Sequence, residues 1–320
     1  MHLSHSAHLL APPSVLGSDG WVAWQAEKSG LTPERVEYTA RGNDLPRLEG
    51  TIYVDKKGRL RQPRFGPYLP LSYTTTPVDR TEKLYRQWIS VAEPFAQEIV
   101  KRGVVGYIAL PPGMLDARPF QWAGLDVKLH YTFASPLPID PAQYKLEVRK
   151  RTRKAIKAGY VAERSTDWDE IMACLVDTEA AHHFTHKLDA QALSRVHTLM
   201  GDESFRGYVV RDQDGVAVSG GVRLHQTGST AIDWLQGTRR SHLSDGVSQL
   251  MYSHVLDDLA AAGASDFDYG GANINSVAAA KAAWGIPLVP YLNVGGFDAR
   301  NAYHTAKSTK KWLLRSRNSD

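Results

Sequence analysis

The sequence predicts an α+β protein with two domains, each a mixed, mostly antiparallel sheet flanked by helices. Short runs of β-forming residues alternate with amphipathic segments, and a proline-rich stretch at 134–141 divides the 320 residues. The second half reads as helices, then three strands, then helix, strand, helix, strand. The length, at roughly 100–200 residues per domain, also favours two domains. We expect an N-terminal domain over 1–138 and a C-terminal domain over 139–320 that ends in a basic helix.

In the first half, strand-forming residues 50–54 precede a stretch rich in glycine and proline at 62–70. Apolar residues then recur at spacings of three and four over 79–102, which predicts a helix. Residues 104–110 follow as a buried strand. The order β, β, helix, β indicates a mixed sheet with a helix packed on one face.

The stretch 134–141 contains three prolines and is predicted to be a linker, because proline disfavours both a helix and a central strand. Asp140 and Pro141 then have the pattern of a helix start, and the basic helix that follows is expected to reach Ala158.

The remaining elements follow from periodicity and from turn residues such as the hairpin signal Asp212 to Gly215. They are helices over 167–183 and 189–200, strands over 205–210, 217–224 and 229–236, a helix over 245–262, a strand over 266–269, a helix over 275–284, a strand over 289–294 and a basic helix over 302–316.

The composition excludes several classes of protein. With 42% hydrophobic and 22% charged residues, the chain is neither disordered nor fibrous. The single cysteine, Cys174, excludes an internal disulfide, fits a reducing compartment and is expected to be buried and unreactive. No apolar run approaches the roughly 20 residues of a membrane span, and residues 1–14 lack the pattern of a signal peptide. We expect a cytoplasmic protein.

Basic residues are concentrated in two places. Residues 145–164 carry eight basic and two acidic side chains, and the last twenty residues carry five basic and one acidic. Such clusters favour a polyanionic partner, with a solvated helix face as the alternative.

Three stretches of the second half carry a resemblance to a known family. Arg149 to Gly159 reads as a basic helix, 233–237 reads Asp-Trp-Leu-Gln-Gly, and 267–271 reads Phe-Asp-Tyr-Gly-Gly with a lysine-containing helix at 279–285. In this order they resemble the FemA/FemB/FemX-type aminoacyltransferases, which are related to GNAT acyltransferases. The first half resembles the degenerate N-terminal GNAT-like domain of that family, most clearly at 116–120.

The resemblance implies two GNAT-like domains and transfer of an aminoacyl group from aminoacyl-tRNA, as co-substrate, to the amine of a peptide, a small molecule or a peptidoglycan precursor. No other cofactor is implied. Two alternatives stay open at this point. One is an N-acyltransferase that uses acetyl-coenzyme A, for instance on an amino sugar, and the other is a non-catalytic RNA-binding module.

The turn before the central helix bears on this choice. In coenzyme-A-dependent GNAT enzymes a glycine-rich turn there holds the pyrophosphate with backbone N–H groups. The corresponding stretch of this chain, 239–248, has one glycine, and Asp245 would place a negative charge beside a pyrophosphate. The basic helices instead favour a larger polyanion such as a tRNA acceptor stem. The residues expected to contact tRNA phosphates are Arg149, Lys150, Arg151, Arg153, Lys154, Lys310 and Lys311.

Acyl transfer to an amine needs an oriented amine, stabilisation of the oxyanion and a route for the released proton. The resemblance makes Lys281 the functional lysine that stabilises the oxyanion or the leaving hydroxylate, the alternative being a surface lysine. Asp268 is the candidate base or amine-orienting group, and a structural carboxylate is its alternative role.

Further residues are expected to contact substrate. Asp233, Trp234 and Gln236 lie at the rim of the expected cleft, although Trp234 could equally belong to the core. The resemblance implies that Arg64, in its Gly/Pro loop, faces the acceptor and binds its phosphate or carboxylate, and Arg118 is a candidate for the same role. The alternative for either arginine is an ion pair with a structural carboxylate, which for Arg118 would be Asp116. The other expected substrate contacts are Tyr68 and Tyr269.

Three histidines, His182, His183 and His186, include a helical i, i+4 pair. No further Cys/His cluster completes a tetrahedral site, so we expect no metal.

Overall fold

A computed structural model describes residues 12–40, 42–182, 187–273 and 275–296. The helices are α1 Asp19–Ser29, α2 Thr81–Arg102, α3 Arg118–Trp122, α4 Leu146–Lys157, α5 Trp168–His182, α6 Ala190–Met200, α7 Val247–Ala261 and α8 Asn275–Ala282. The strands are β1 Thr32–Thr39, β2 Arg47–Val54, β3 Leu71–Thr74, β4 Tyr107–Ala109, β5 Asp126–Pro136, β6 Val161–Arg164, β7 Phe205–Arg211, β8 Ala217–Leu224, β9 Thr230–Thr238, β10 Asp266–Asp268 and β11 Leu288–Gly295. The expected basic helix over 302–316 lies outside the described residues.

Two sheets organise the described part of the chain. The smaller has the order β1-β2-β3 and the larger the order β4-β11-β5-β10-β9-β8-β7-β6. The strand pairs are antiparallel except for β9 and β10, which run parallel. Helices flank both sheets, so the predicted α+β class is confirmed. The predicted succession of three strands, helix, strand, helix, strand is also present, from β7 to β11.

The predicted linker at 134–141 is wrong at its start. Residues 134–136 belong to β5, a central strand that pairs with β11 on one side and β10 on the other. Pro136 is tolerated because it is the last residue of the strand, where a missing backbone N–H breaks the fewest ladder bonds. The large sheet therefore contains strands from both sides of residue 138, and the domain boundary proposed there stays a prediction.

Helices cover both faces of the large sheet. On one face, α5 and α6 pack their apolar side chains, such as Ile171 and Leu193, against Val222 and other strand residues. On the opposite face, Val148 of α4 and Val255 of α7 join a separate core with Phe267 of β10. The residues between these two layers are therefore withdrawn from bulk water, which sets the environment of the site described below.

Cys174 lies fully buried in α5, as expected, with its thiol 3.5 Å from the carbonyl oxygen of Ala217. In the part of the chain that the structure describes, no helix has both the length and the apolar character needed to cross a membrane.

Candidate active site

The large sheet opens where its two parallel strands separate. β10 pairs with β9 only over Asp266–Asp268, opposite 230–232, while β9 continues to Thr238. Beyond Asp268 the chain turns away through Gly270, whose φ of 66° lies in the left-handed region that favours glycine. We call the space between 233–236 and 268–270 the strand gap.

β9 carries a bulge at the edge of the strand gap. The register with β8 shifts between Val222 and Arg223, so that Leu235 lies opposite Val222 and Asp233 opposite Arg223. Trp234 is therefore the extra residue. A bulge of this kind redirects side chains, and here Asp233 and Trp234 leave the strand towards different neighbours.

Lys281 of α8 reaches into the strand gap. Its ammonium donates hydrogen bonds to the carbonyl oxygens of Tyr269 and Gly270, the latter at 2.5 Å. Burial lowers the pKa of Lys281 from its ordinary 10.5, although the negative charges of Asp233 and Asp268 oppose the shift. The side chain is turned inward, so the alternative of a lysine that snorkels to the surface does not describe it.

Asp268 is one of two carboxylates whose charges act on this ammonium, and it is 2% exposed. Its carboxylate accepts hydrogen bonds from the Tyr68 hydroxyl at 2.8 Å, the Thr132 hydroxyl at 2.5 Å and the Gly270 backbone N–H at 2.7 Å. Burial raises the pKa of Asp268, and these donors partly offset that effect by stabilising the charged form. Three donors occupy most of the accepting capacity of this carboxylate.

Asp233 is the second carboxylate whose charge acts on the ammonium. It accepts a 2.5 Å hydrogen bond from the Tyr252 hydroxyl, and its other oxygen lies 3.1 Å from Nη1 of Arg223 in an ion pair. Arg223 is fully buried, and its guanidinium also donates to the carbonyl oxygen of Leu235 at 2.7 Å and to the side chain of Gln236. Arg223 thus holds both ends of the β9 bulge.

The sequence interpretation did not include Arg223 or Tyr252. An arginine inside a strand made otherwise of small and apolar residues, as in 217–224, is the signal that could have drawn attention to the first. A buried arginine needs a carboxylate partner, and a sequence cannot say which carboxylate the fold brings to it.

The loop 62–68 of the first half docks onto both strands of the gap. The Trp234 indole N–H donates to the carbonyl oxygen of Phe65 at 3.0 Å, and the Tyr68 hydroxyl donates to Asp268. Trp234 also packs edge-on against Trp21 and Trp24, at 5.3 and 5.5 Å between ring centroids, so it contributes to the core as well as to the rim. Arg64 is exposed on this loop, with its guanidinium 5.6 Å from the centre of the Phe65 ring.

The other expected substrate contacts lie apart or face inward. Arg118 makes a two-point ion pair with Asp116, at 2.8 and 2.6 Å, and its guanidinium lies over the rings of Tyr85 and Trp122. This is the alternative pairing that the sequence left open. Tyr269 is fully buried, so its contribution to the strand gap is its carbonyl oxygen.

The turn before α7 is covered by α4. Gly246 and Val247 at the start of α7 are buried, and a Cβ on Gly246 would lie 2.1 Å from the carbonyl oxygen of Arg151. Asp245 pairs with Lys154 at 3.0 Å, a hydrogen bond that lowers the pKa of the Asp245 carboxyl. The turn at the start of α7 is therefore packed against another helix in this chain.

The outer face of α4 is basic. Lys150, Arg153 and Lys157 are exposed at helical spacings of three and four, and none forms an ion pair with an acidic side chain among the described residues. We call these three residues the basic stripe. Arg151 and Lys154 instead pair with Glu147 and Asp245.

Arg149 is half-buried, with a buried Nε that finds no hydrogen-bond acceptor among the described residues. Lys310 and Lys311 lie outside the described residues. So do His183 and His186, and the side chain of His182 is likewise not described. In the described ranges, no group of three or more His, Cys, Asp or Glu side chains could hold a metal ion.

Part of the second half of the chain matches a known family of domains. A family model described as an acetyltransferase (GNAT) domain matches residues 142–276, which contain the basic stripe, β9, α7 and Asp268. No curated protein matches the sequence.

Solved structures show the same fold over most of the chain. FemX is 14% identical, with a TM-score of 0.62 over 91% of this chain and 96% of that chain. The C-terminal domain of a protein described as a lysylphosphatidylglycerol synthetase from Agrobacterium fabrum is 14% identical, with a TM-score of 0.55 over 93% and 92%. L-PGS from Bacillus licheniformis is 12% identical, with a TM-score of 0.54 over 90% and 94%. The chain thus has the overall fold of FemX, with a GNAT-type match over 142–276, and the resemblance noted in the sequence is confirmed at the level of fold.

Proposed function

We propose that this chain transfers an aminoacyl group from aminoacyl-tRNA to the amine of a peptide, a small molecule or a peptidoglycan precursor, forming an amide. The position of α4 carries the proposal. One edge of this helix packs on the start of α7, where a coenzyme A pyrophosphate would need exposed backbone N–H groups. Its outer face presents the basic stripe, which suits the phosphates of an RNA. We place the reaction in the cytoplasm, where charged tRNA is made.

Lys281 is suited to stabilise the transition state. A lysine ammonium has three N–H donors, and two of them are used by the carbonyl oxygens of Tyr269 and Gly270. These bonds fix the ammonium in the strand gap and leave its third N–H for the oxyanion that develops when the amine attacks the ester. A donor already oriented in a site shielded from water needs no rearrangement during the reaction.

The two carboxylates have positioning roles in this proposal. Asp233 holds Tyr252 and the β9 bulge through Arg223, and Asp268 holds the loop 62–68 through Tyr68. Arg64 lies on that loop next to Phe65, whose carbonyl oxygen is bonded to Trp234, and its proposed role is to bind a phosphate or carboxylate of the acceptor. In this proposal Asp268 orients the acceptor side of the site and does not accept the proton that the acceptor amine releases.

A coenzyme-A-dependent N-acyltransferase is the second candidate, because the matching family model is described as an acetyltransferase domain. For that function α4 would have to move away from Gly246 to admit a pyrophosphate.

The test compares ligands by thermal shift and filter binding: acetyl-coenzyme A, mixed aminoacyl-tRNA and deacylated tRNA. We expect stabilisation by charged tRNA above the deacylated control, since a ligand at 100 times its Kd stabilises the folded state by about 2.7 kcal/mol. Stabilisation by acetyl-coenzyme A alone would favour the second candidate. Equal binding of charged and deacylated tRNA, without transfer to any amine, would indicate an RNA-binding module.

The basic stripe is tested by K150Q/R153Q/K157Q. This variant should bind charged tRNA more weakly, with the slope of log K against log salt reduced by about 1 for each lost phosphate contact. The matched control is K56Q/K57Q/K101Q, which removes three exposed lysines of the first half. Equal effects in both variants would show that the basic stripe contributes only through the overall positive charge of the protein and is not a specific RNA-binding surface.

Lys281→Ala tests the chemical step. We expect transfer to fall about 10²–10³-fold, the usual effect of removing one oxyanion donor, with tRNA binding retained. Turnover equal to that of the native protein would remove Lys281 from the mechanism.

A further inference from the structure

The proposed reaction leaves a proton without an acceptor. An amine that attacks an ester carbonyl becomes positively charged and must lose a proton before the amide forms. Asp268 already accepts three hydrogen bonds, and Asp233 is held by Tyr252 and Arg223. Lys281 is placed as a donor. A further group near the acceptor side of the site should therefore take the proton.

His130 occupies such a position on β5. It lies two residues before Thr132, whose hydroxyl is bonded to Asp268, and residues two apart on a strand project from the same face. Directly opposite on β11 is Tyr291, with 5.6 Å between the two ring centroids. Tyr291 in turn lies 5.1 Å from the ring of Tyr68, which bonds to Asp268.

The burial and hydrogen bonding of the His130 imidazole suit a general base. His130 is half-buried, and neither of its ring nitrogens is hydrogen-bonded to any residue that the structure describes. Burial lowers the pKa of His130, and the nearby positive charge of Lys128 lowers it further. Both influences favour the neutral ring, which has a nitrogen lone pair available. The titratable groups around it are Lys128 on its own strand, Tyr291 on β11, and beyond them Tyr68 and Asp268.

The neighbouring elements place His130 on the acceptor side. The loop 62–68 covers the face of the sheet that carries Tyr291, because its Tyr68 ring packs on that residue, whereas α4 and α7 pack on the opposite face. An acceptor bound by Arg64 would thus approach from the side of His130, and charged tRNA on the basic stripe from the other.

We propose that His130 is the general base that takes the proton from the acceptor amine, directly or through one water. This inference rests on the proposed function. The amine nitrogen bonds to the ester carbonyl carbon and gives a proton to the imidazole. The bond between that carbon and the ribose oxygen then breaks, and the imidazolium gives its proton to the ribose oxygen, directly or through water, so that ester and amine become amide and alcohol.

The test uses two amines of similar size and different basicity, with aminoacyl-tRNA as donor. After attack, the nitrogen of methylamine, a strong base, holds its extra proton tightly and needs a base to remove it. The nitrogen of methoxyamine, a much weaker base, releases that proton readily to water. For His130→Gln we expect a loss of about 10²–10⁴-fold in kcat with methylamine, the usual contribution of a general base. With methoxyamine the loss should be far smaller, and raising the pH should restore the rate with methylamine.

Tyr131→Phe is the matched control, because it changes the next residue of β5, whose side chain points to the opposite face. An equal loss with both amines, or no loss, would overturn the role of His130 and leave the proposed function standing. If the native protein transferred to neither amine nor to any peptide amine tested, the proposed function itself would fall, and the inference with it.

Discussion

The two buried carboxylates whose charges act on Lys281 are held in different ways. Asp268 is held by uncharged donors, and two of its three partners, Tyr68 and Thr132, come from the first half of the chain. Asp233 is held by a full positive charge, the buried Arg223, together with Tyr252, and both partners lie in the second half.

This difference separates two tasks of the site. The pair of Asp233 and Arg223 fixes the internal geometry of β9, because the same guanidinium binds the carbonyl oxygen of Leu235. The bonds of Asp268 instead join the two halves of the chain at the strand gap. We therefore expect substitutions on the Asp233 side to affect stability most, and substitutions on the Asp268 side to affect the contact between the halves.

The largest effect is expected for Arg223→Met. Loss of the guanidinium would leave Asp233 buried without its charged partner, which typically costs about 3–5 kcal/mol. Urea titration of the free energy of unfolding measures this. The control, Arg118→Met, removes an exposed ion pair and should cost about 0–1 kcal/mol.

A double variant separates the loss of the ion pair from the loss of the arginine side chain itself. Combining Arg223→Met with Asp233→Asn removes the buried negative charge as well, so part of the lost stability should return. If the double variant were no more stable than the single one, the ion pair would not be the source of the effect.

A smaller effect is expected for Tyr68→Phe. The ring stays and Asp268 loses one uncharged donor, which should lower the free energy of unfolding by about 1–3 kcal/mol. Tyr131→Phe, at an exposed position, is the control. A loss as large as that of Arg223→Met would erase the distinction between the two carboxylates.

The smallest effect is a change with pH. Because the pKa of Lys281 is lowered in the folded state, the unfolded chain binds more protons between that pKa and the ordinary 10.5. The stability of the native protein should therefore rise with pH through this window and fall as pH is lowered through the folded pKa. Lys281→Met should lack this component when both proteins are unfolded in urea at several alkaline pH values. Parallel curves for the two proteins would contradict the burial of a charged lysine near the two carboxylates.

Much of the fold could be predicted from the sequence, because local patterns decide it. The strand over 217–224 has the predicted bounds, and α7 and α8 begin within two residues of their predicted starts. β5 was missed because its pairing with β10 and β11 depends on partners far along the chain, while its local signal is dominated by the prolines that follow.

Some residues of the candidate site could likewise be predicted from local sequence patterns, and others could not. Lys281, Asp268, Asp233 and Trp234 could be identified from motifs that are contiguous in sequence, and the structure brings them together at the strand gap. Arg223, Tyr252 and His130 could not, because each matters through a neighbour that only the folded sheet supplies. For Arg118, the sequence left a substrate contact and a pairing with Asp116 open, and only side-chain geometry distinguishes them.

The place of β5 in the large sheet has a consequence for synthesis on the ribosome. Thr132 of β5 and Asp268 of β10 are 136 residues apart, and β11 comes later still, so β5 leaves the ribosome long before either partner strand exists. Until then both of its edges lack hydrogen-bond partners, a condition that slows folding and exposes a chain to aggregation. A chaperone would therefore help this protein most during synthesis, after the first half has been made and before β10 and β11 exist.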